Sequence, residues 1–138
     1  MEKAFIIDTI AKQAVEIITE LLVTTGEINI GYNDIKAIMG QRGPVLISTG
    51  SGTGKDRILK ACHDALANAW KETTIKAATK VLVNITGPSE LFLKEVNDGL
   101  DIIKEAVSPT AEVIFGVARD NRLKDEIRIV LITQEDER

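Results

Sequence analysis

The run Gly50-Ser51-Gly52-Thr53-Gly54-Lys55-Asp56 has the residue types of a phosphate cradle. Glycines let backbone N–H groups close on an anion, and a lysine supplies the countercharge. The spacing fails at two points. The first glycine of the motif falls on Thr49, and Asp56 stands where a hydroxyl is needed to hold magnesium. A carboxylate at that helix start would also repel a phosphate. The run therefore reads as a flexible strand-to-helix turn over 49–55, with a loose anion site on its N–H groups as the alternative.

Other reactive side chains are sparse. Cys62 and His63 are the only cysteine and histidine. Adjacent on a helix, they diverge by ~100°, so Cys62 is expected in the core and His63 in solvent, and not as a nucleophile–base pair. A His/Cys zinc site needs about three or four ligands, more than these two residues supply. Glu27, Asn29 and Asp34 cluster in one polar stretch. Turn chemistry, with Asp34 as a helix cap, explains them, and so does a loop that meets a partner. The charges between Asp120 and Arg128 are dispersed and read as a solvated turn with no catalytic carboxylate pair.

The elements that would position these residues follow from periodicity. Residues 5–22 form an expected helix with two adjacent apolar stripes: Ile7, Ile10, Ala14, Ile17 and Leu21, then Ala11, Val15, Ile18 and Leu22. Together they span ~160°, wider than the ~100° of a surface helix, as if the helix were covered on more than one side. Gly26 ends it. A short helix over 34–39 precedes a strand at 45–48. Asp56 is expected to cap the next helix, whose inward face is Ile58 or Leu59, Cys62, Leu66 and Ala69–Trp70. A second strand occupies 81–85. Ser89 is the expected cap of a helix with the buried stripe Leu93, Val96, Leu100, Ile103 and Val107. Strands at 112–118 and 127–133 read as a hairpin. Two βα units and a hairpin predict an α/β, two-layer sandwich with a mixed four-stranded sheet.

Bulk properties exclude several classes. The chain has 138 residues, 44% of them hydrophobic, which suits one domain with one aliphatic core. Net charge is −4, which argues against nucleic acid. No apolar run approaches the roughly 18–20 residues of a membrane span. The start opens into a helical pattern and not a signal peptide, and a lone cysteine fits a cytoplasmic location.

Several segments, in order, resemble the C-terminal domain of the FtsZ/tubulin family. Gly26-Glu27-Ile28-Asn29-Ile30-Gly31-Tyr32-Asn33-Asp34 is similar to that family's synergy loop, followed by Ile35-Lys36-Ala37-Ile38-Met39. Gly50-Ser51-Gly52 and Gly54-Lys55-Asp56-Arg57 resemble the glycine-rich turn before its next helix. Val81-Leu82-Val83-Asn84-Ile85-Thr86-Gly87, then Leu91, Leu93 and Glu95-Val96-Asn97, match a further strand and helix. Ile114-Phe115-Gly116, Asp120, Leu123 and the run from Asp125 to Val130 match the closing strands. The resemblance runs from about Asp8 to Thr133.

It implies a chorismate-mutase-like fold for residues 26–138, with residues 1–25 the end of the family's core helix. It implies that the GTPase half, and the tail peptide that binds membrane tethers, lie outside this chain. GTP would then sit on a partner subunit or domain, and this chain binds no cofactor alone. The chain would be no enzyme on its own, offering Asn29 and Asp34 in trans to a neighbour's nucleotide site. Gly31 departs from the Asp expected there, Thr9 from an Asp that meets the guanine base, and Thr25 from a frequent Pro. Three functions compete: a docking module for an FtsZ-like GTPase domain or filament, a piece of a larger divergent FtsZ GTPase, and a repurposed small-molecule-binding domain. The expected interface is Glu27, Asn29, Gly31 and Asp34, with Ala11, Val15, Ile18 and Leu22 available for a homo-oligomer. Membranes are not expected as partners.

Overall fold

The structure is a computed structural model that describes residues 45–69 and 76–135, together with Asn33. The expected helices over 5–22 and 34–39 lie outside the described residues. Six elements follow in order: β1 (Val45–Gly52), α1 (Arg57–Asn68), β2 (Ala78–Gly87), α2 (Leu93–Ala106), β3 (Glu112–Arg119) and β4 (Ile127–Glu135). They form a mixed four-stranded sheet in the order β1-β4-β2-β3. The expected α/β sandwich is what the chain adopts.

The expected hairpin is not. β4 does not turn back on β3; it crosses β2 and inserts between β1 and β2, antiparallel to both. β3 instead pairs in parallel with β2. A polar turn of suitable length reads as a hairpin, yet burial decides the pairing. Ile127, Ile129, Leu131 and Ile132 are at most 1% exposed, which requires a central position. β3 keeps Val113, Ile114 and Phe115 half-buried at the sheet margin.

Strand alternation separates the two sheet faces. Val81, Val83 and Ile85 of β2 join Ile127, Ile129 and Leu131 of β4 on the face that packs against α1 and α2. Helix α1 contributes Ile58, Ala61, Cys62 and Ala65; α2 contributes Val96, Leu100 and Ile103. Leu59 points out, which settles the choice left open between it and Ile58. Leu93, expected in the buried stripe, is 73% exposed because it stands at the first position of α2, beyond the sheet's end. The opposite face carries Leu82 and Ile132, both fully buried.

The glycine-rich run is mostly strand. Residues 49–52 extend β1, and only 53–56 turn. Gly50 and Gly52 are there for contact. A Cβ at Gly50 would overlap the backbone of Ala61 and Ala65, and one at Gly52 the backbone of Arg57. So α1 lies directly on β1, closer than any side chain permits. Asp56 sits at the helix start with φ 58° and makes no side-chain cap bond, contrary to the expected cap. Ser89 does not cap α2 either; Phe92 occupies that position, and the Glu95 carboxylate accepts its N–H at 3.2 Å.

Candidate functional site

Strands β1, β2 and β3 all run the same way, since β4 opposes β1 and β2 and β3 parallels β2. Their C-terminal ends therefore meet at one end of the sheet, beside the N-termini of α1 and α2. Three connections gather there: 53–56, 88–92 and 120–126. Ends of this kind are where α/β sheets present functional loops.

Arg57 organises this end. Its side chain is 10% exposed and forks onto Glu95, with Nε to Oε2 and Nη2 to Oε1 both at 2.7 Å. Nη1 reaches the carboxylate and the carbonyl of Asp125 at 3.3 Å, and Nη2 the carbonyl of Glu90 at 3.4 Å. One guanidinium thus ties the start of α1 to the start of α2 and to the β3–β4 connection. Bidentate charge-assisted bonds are the stronger kind, and burial raises the cost of losing one partner. The fork onto Glu95 holds Arg57 above its ordinary pKa. The same bonds hold the Glu95 carboxyl below its usual range.

Asp125 has a second task. Its Oδ2 accepts the N–H of Gly54 at 2.6 Å, while Asp64 accepts the N–H of Ser51 at 3.0 Å. Two N–H groups of the phosphate-loop lookalike are therefore held by the chain's own carboxylates. This is the physical reason that run makes a poor anion cradle. Nearby, Asp120 accepts the N–H, Nε and Nη2 of Arg122 between 2.9 and 3.0 Å, which lowers its pKa. The Arg119 guanidinium donates to the carbonyls of Ser89 and Leu91 at 2.7 Å.

These bonds hold up an exposed apolar pair. Phe92 is 64% and Leu93 73% exposed, next to a segment anchored by Arg57, Arg119 and Glu95. Adjacent large apolar side chains left in solvent on an anchored loop suit contact with a partner.

Cys62 is fully buried, its Sγ 3.7 Å from the carbonyl of Gly99, and burial pushes its thiol up to about 11. It is a packing residue, and His63 beside it is exposed. Among the described residues, no group of three or more His, Cys, Asp or Glu is placed to hold a metal. No helix among them is long and apolar enough to cross a membrane. The expected site residues Glu27, Asn29, Gly31 and Asp34, and the helix positions Ala11, Val15, Ile18 and Leu22, lie outside the described residues.

The Arg57 cluster was missed in the sequence because its members are 38 and 68 residues apart. One signal was available. A cation at the first position of a helix opposes the helix dipole, so Arg57 there calls for a nearby carboxylate.

The fold and this end of the sheet define a small α/β domain of the tubulin-like kind. A family model described as "FtsZ family, C-terminal domain" matches residues 43–135, and the chain belongs to that family. It is 38% identical to the cell division protein FtsZ of Mycoplasmopsis pulmonis over 125 residues, covering 91% of this chain and 32% of that protein. It is also 38% identical to FtsZ of Caulobacter vibrioides over 126 residues, covering 91% of this chain and 25% of that protein. The chain thus spans about a third or less of these relatives. Among solved structures, an empty FtsZ dimer of M. jannaschii superposes with TM-score 0.76 at 28% identity, covering 97% of this chain and 39% of that one. CetZ from Methanosaeta thermophila shares the fold, with TM-score 0.69 at 18% identity over 96% of this chain and 37% of that one.

Proposed function

We propose that the chain is the docking half of an FtsZ-type cell-division GTPase, active through contact with a partner that holds the nucleotide. The observation that carries this is the exposed Phe92–Leu93 pair, on backbone anchored where three loops and two helix starts converge. The polar loop containing Glu27, Asn29, Gly31 and Asp34 would reach a neighbour's GTP and complete its site by positioning water and charge. Gly31 removes one carboxylate from that set, so the contribution to hydrolysis is expected to be weaker than the contribution to docking.

A second reading places the chain within a larger FtsZ GTPase, whose other half supplies the nucleotide. The coverage favours it, since the relatives are at least three times longer than the matched region. The docking surface is the same in both readings; only the covalent connection differs.

The test uses Phe92→Asp and Leu93→Asp in the full chain. Both sites are exposed, so thermal stability should stay within about 0.5 kcal/mol of the parent. Co-sedimentation with a polymerising FtsZ should drop severalfold. Unchanged co-sedimentation in the double variant would remove the apolar pair from the docking surface.

A further inference from the structure

We propose that Asp64 and Asn68 form a side-chain guard that closes the outer edge of β1 to strand pairing with a second copy of this chain. β1 stands at one end of the sheet, with β4 its only strand neighbour among the described residues. The N–H of Ser51 and the carbonyl of Thr49 are bonded to side chains of α1, so by the alternation of an antiparallel ladder the backbone groups of these two residues point away from β4 and those of Gly50 toward it. An open edge of this kind templates pairing with another chain, and proteins usually blunt it with a lysine, a proline or a bulge. β1 has none of these. Its sequence, VLISTGSG, carries no charge and no proline, and its first half is rich in β-forming residues. Such a segment pairs readily with a copy of itself.

The protection comes from α1. Asn68 Nδ2 donates to the carbonyl of Thr49 at 2.8 Å. Asp64 Oδ2 accepts the N–H of Ser51 at 3.0 Å. The two side chains, one helical turn apart, also bond each other at 3.4 Å. A single residue of a parallel neighbouring strand would bond the same carbonyl and the same N–H. The pair thus stands in for a strand and ends the sheet with a carboxylate. Gly50 and Gly52 make this possible. They let the α1 backbone rest on β1, so that two short side chains reach the edge. The glycine run that resembled a phosphate loop has this architectural use.

The occupant excluded is a second β1, because an uncharged strand offers its own sequence no repulsion. The experiment compares the full chain with its Asp64→Ala/Asn68→Ala variant by light scattering over a concentration series. Alanine is the best helix former, so α1 is kept. The variant should show about twofold or greater mass, rising with concentration. Adding Thr49→Pro, which removes an outward N–H and no bond to β4, should return the mass to that of the parent. Amide exchange gives a second readout that needs no stable double variant. The Ser51 amide should be protected in the parent and should exchange about tenfold faster or more in Asp64→Ala. The proposal is overturned by a folded double variant with the parent's mass at every concentration. An increase that Thr49→Pro leaves in place, or a fast-exchanging Ser51 amide in the parent, overturns it equally.

Discussion

At the scale of single residues, the main electrostatic commitment is Arg57 to Glu95. Both side chains are largely buried, at 10% and 19% exposure, so the pair contributes more than a surface bridge does. Arg57→Ala should cost about 2–3 kcal/mol, because it strands a carboxylate and frees two loops at once. The pH dependence has a definite sign. Arg57 depresses the Glu95 pKa in the folded state. The associated stability is therefore present above the unfolded value of about 4.3 and is lost as pH falls through the lower folded value. Denaturant melts from pH 7 down to 3 should show stability declining below about 4.3. Glu95→Gln should be less stable at neutral pH and should show a shallower decline. Asp120, lowered by Arg122, leaves a residual slope in that variant. A different residue-scale case is Thr133, whose buried hydroxyl has no hydrogen-bond partner among the described residues. Thr133→Val keeps the shape, removes the unpaired group and should raise stability by about 1 kcal/mol in the same melts.

At the scale of elements, the glycines separate two causes of intolerance. Gly50→Ala drives a methyl into the α1 backbone, which has no flexible end to yield, and should cost about 3 kcal/mol or prevent folding. Gly54→Ala meets open space but sits at φ 74°, so it should cost only about 1 kcal/mol. Thermal melts of the two variants decide whether contact or conformation dominates this run. The same elements show what a sequence makes legible. Helix α2 was readable because Val96, Leu100 and Ile103 report one local period. The strands at 112–118 and 127–133 were readable as strands, but their partners were not. Pairing is a non-local property, set by which strand must be covered on both sides. The caps failed for a related reason: Asp56 and Ser89 have suitable side chains, yet tertiary bonds fix these turns instead, the Gly54 N–H to Asp125 in the first and Arg57 and Arg119 to the carbonyls of Glu90 and Ser89 in the second.

At the scale of the whole molecule, family membership was legible because ordered short segments add up, from the 26–34 loop to the closing strands. The Arg57 cluster was not, since three elements meet there that no local window contains. The resulting picture is a sandwich whose one end presents two exposed apolar side chains on an anchored loop, with an N-terminal polar loop proposed to meet a partner's nucleotide. The direct measurement adds the purified chain, at tens of micromolar, to a polymerising FtsZ and follows pelleted mass and GTP turnover together. The account predicts that the chain enters or shortens the pelleted polymer and shifts turnover. It also predicts that Asn29→Ala/Asp34→Ala abolishes the effect on turnover while Leu93→Asp weakens pelleting. Polymer mass and GTP turnover that are both unchanged by the parent chain would contradict it.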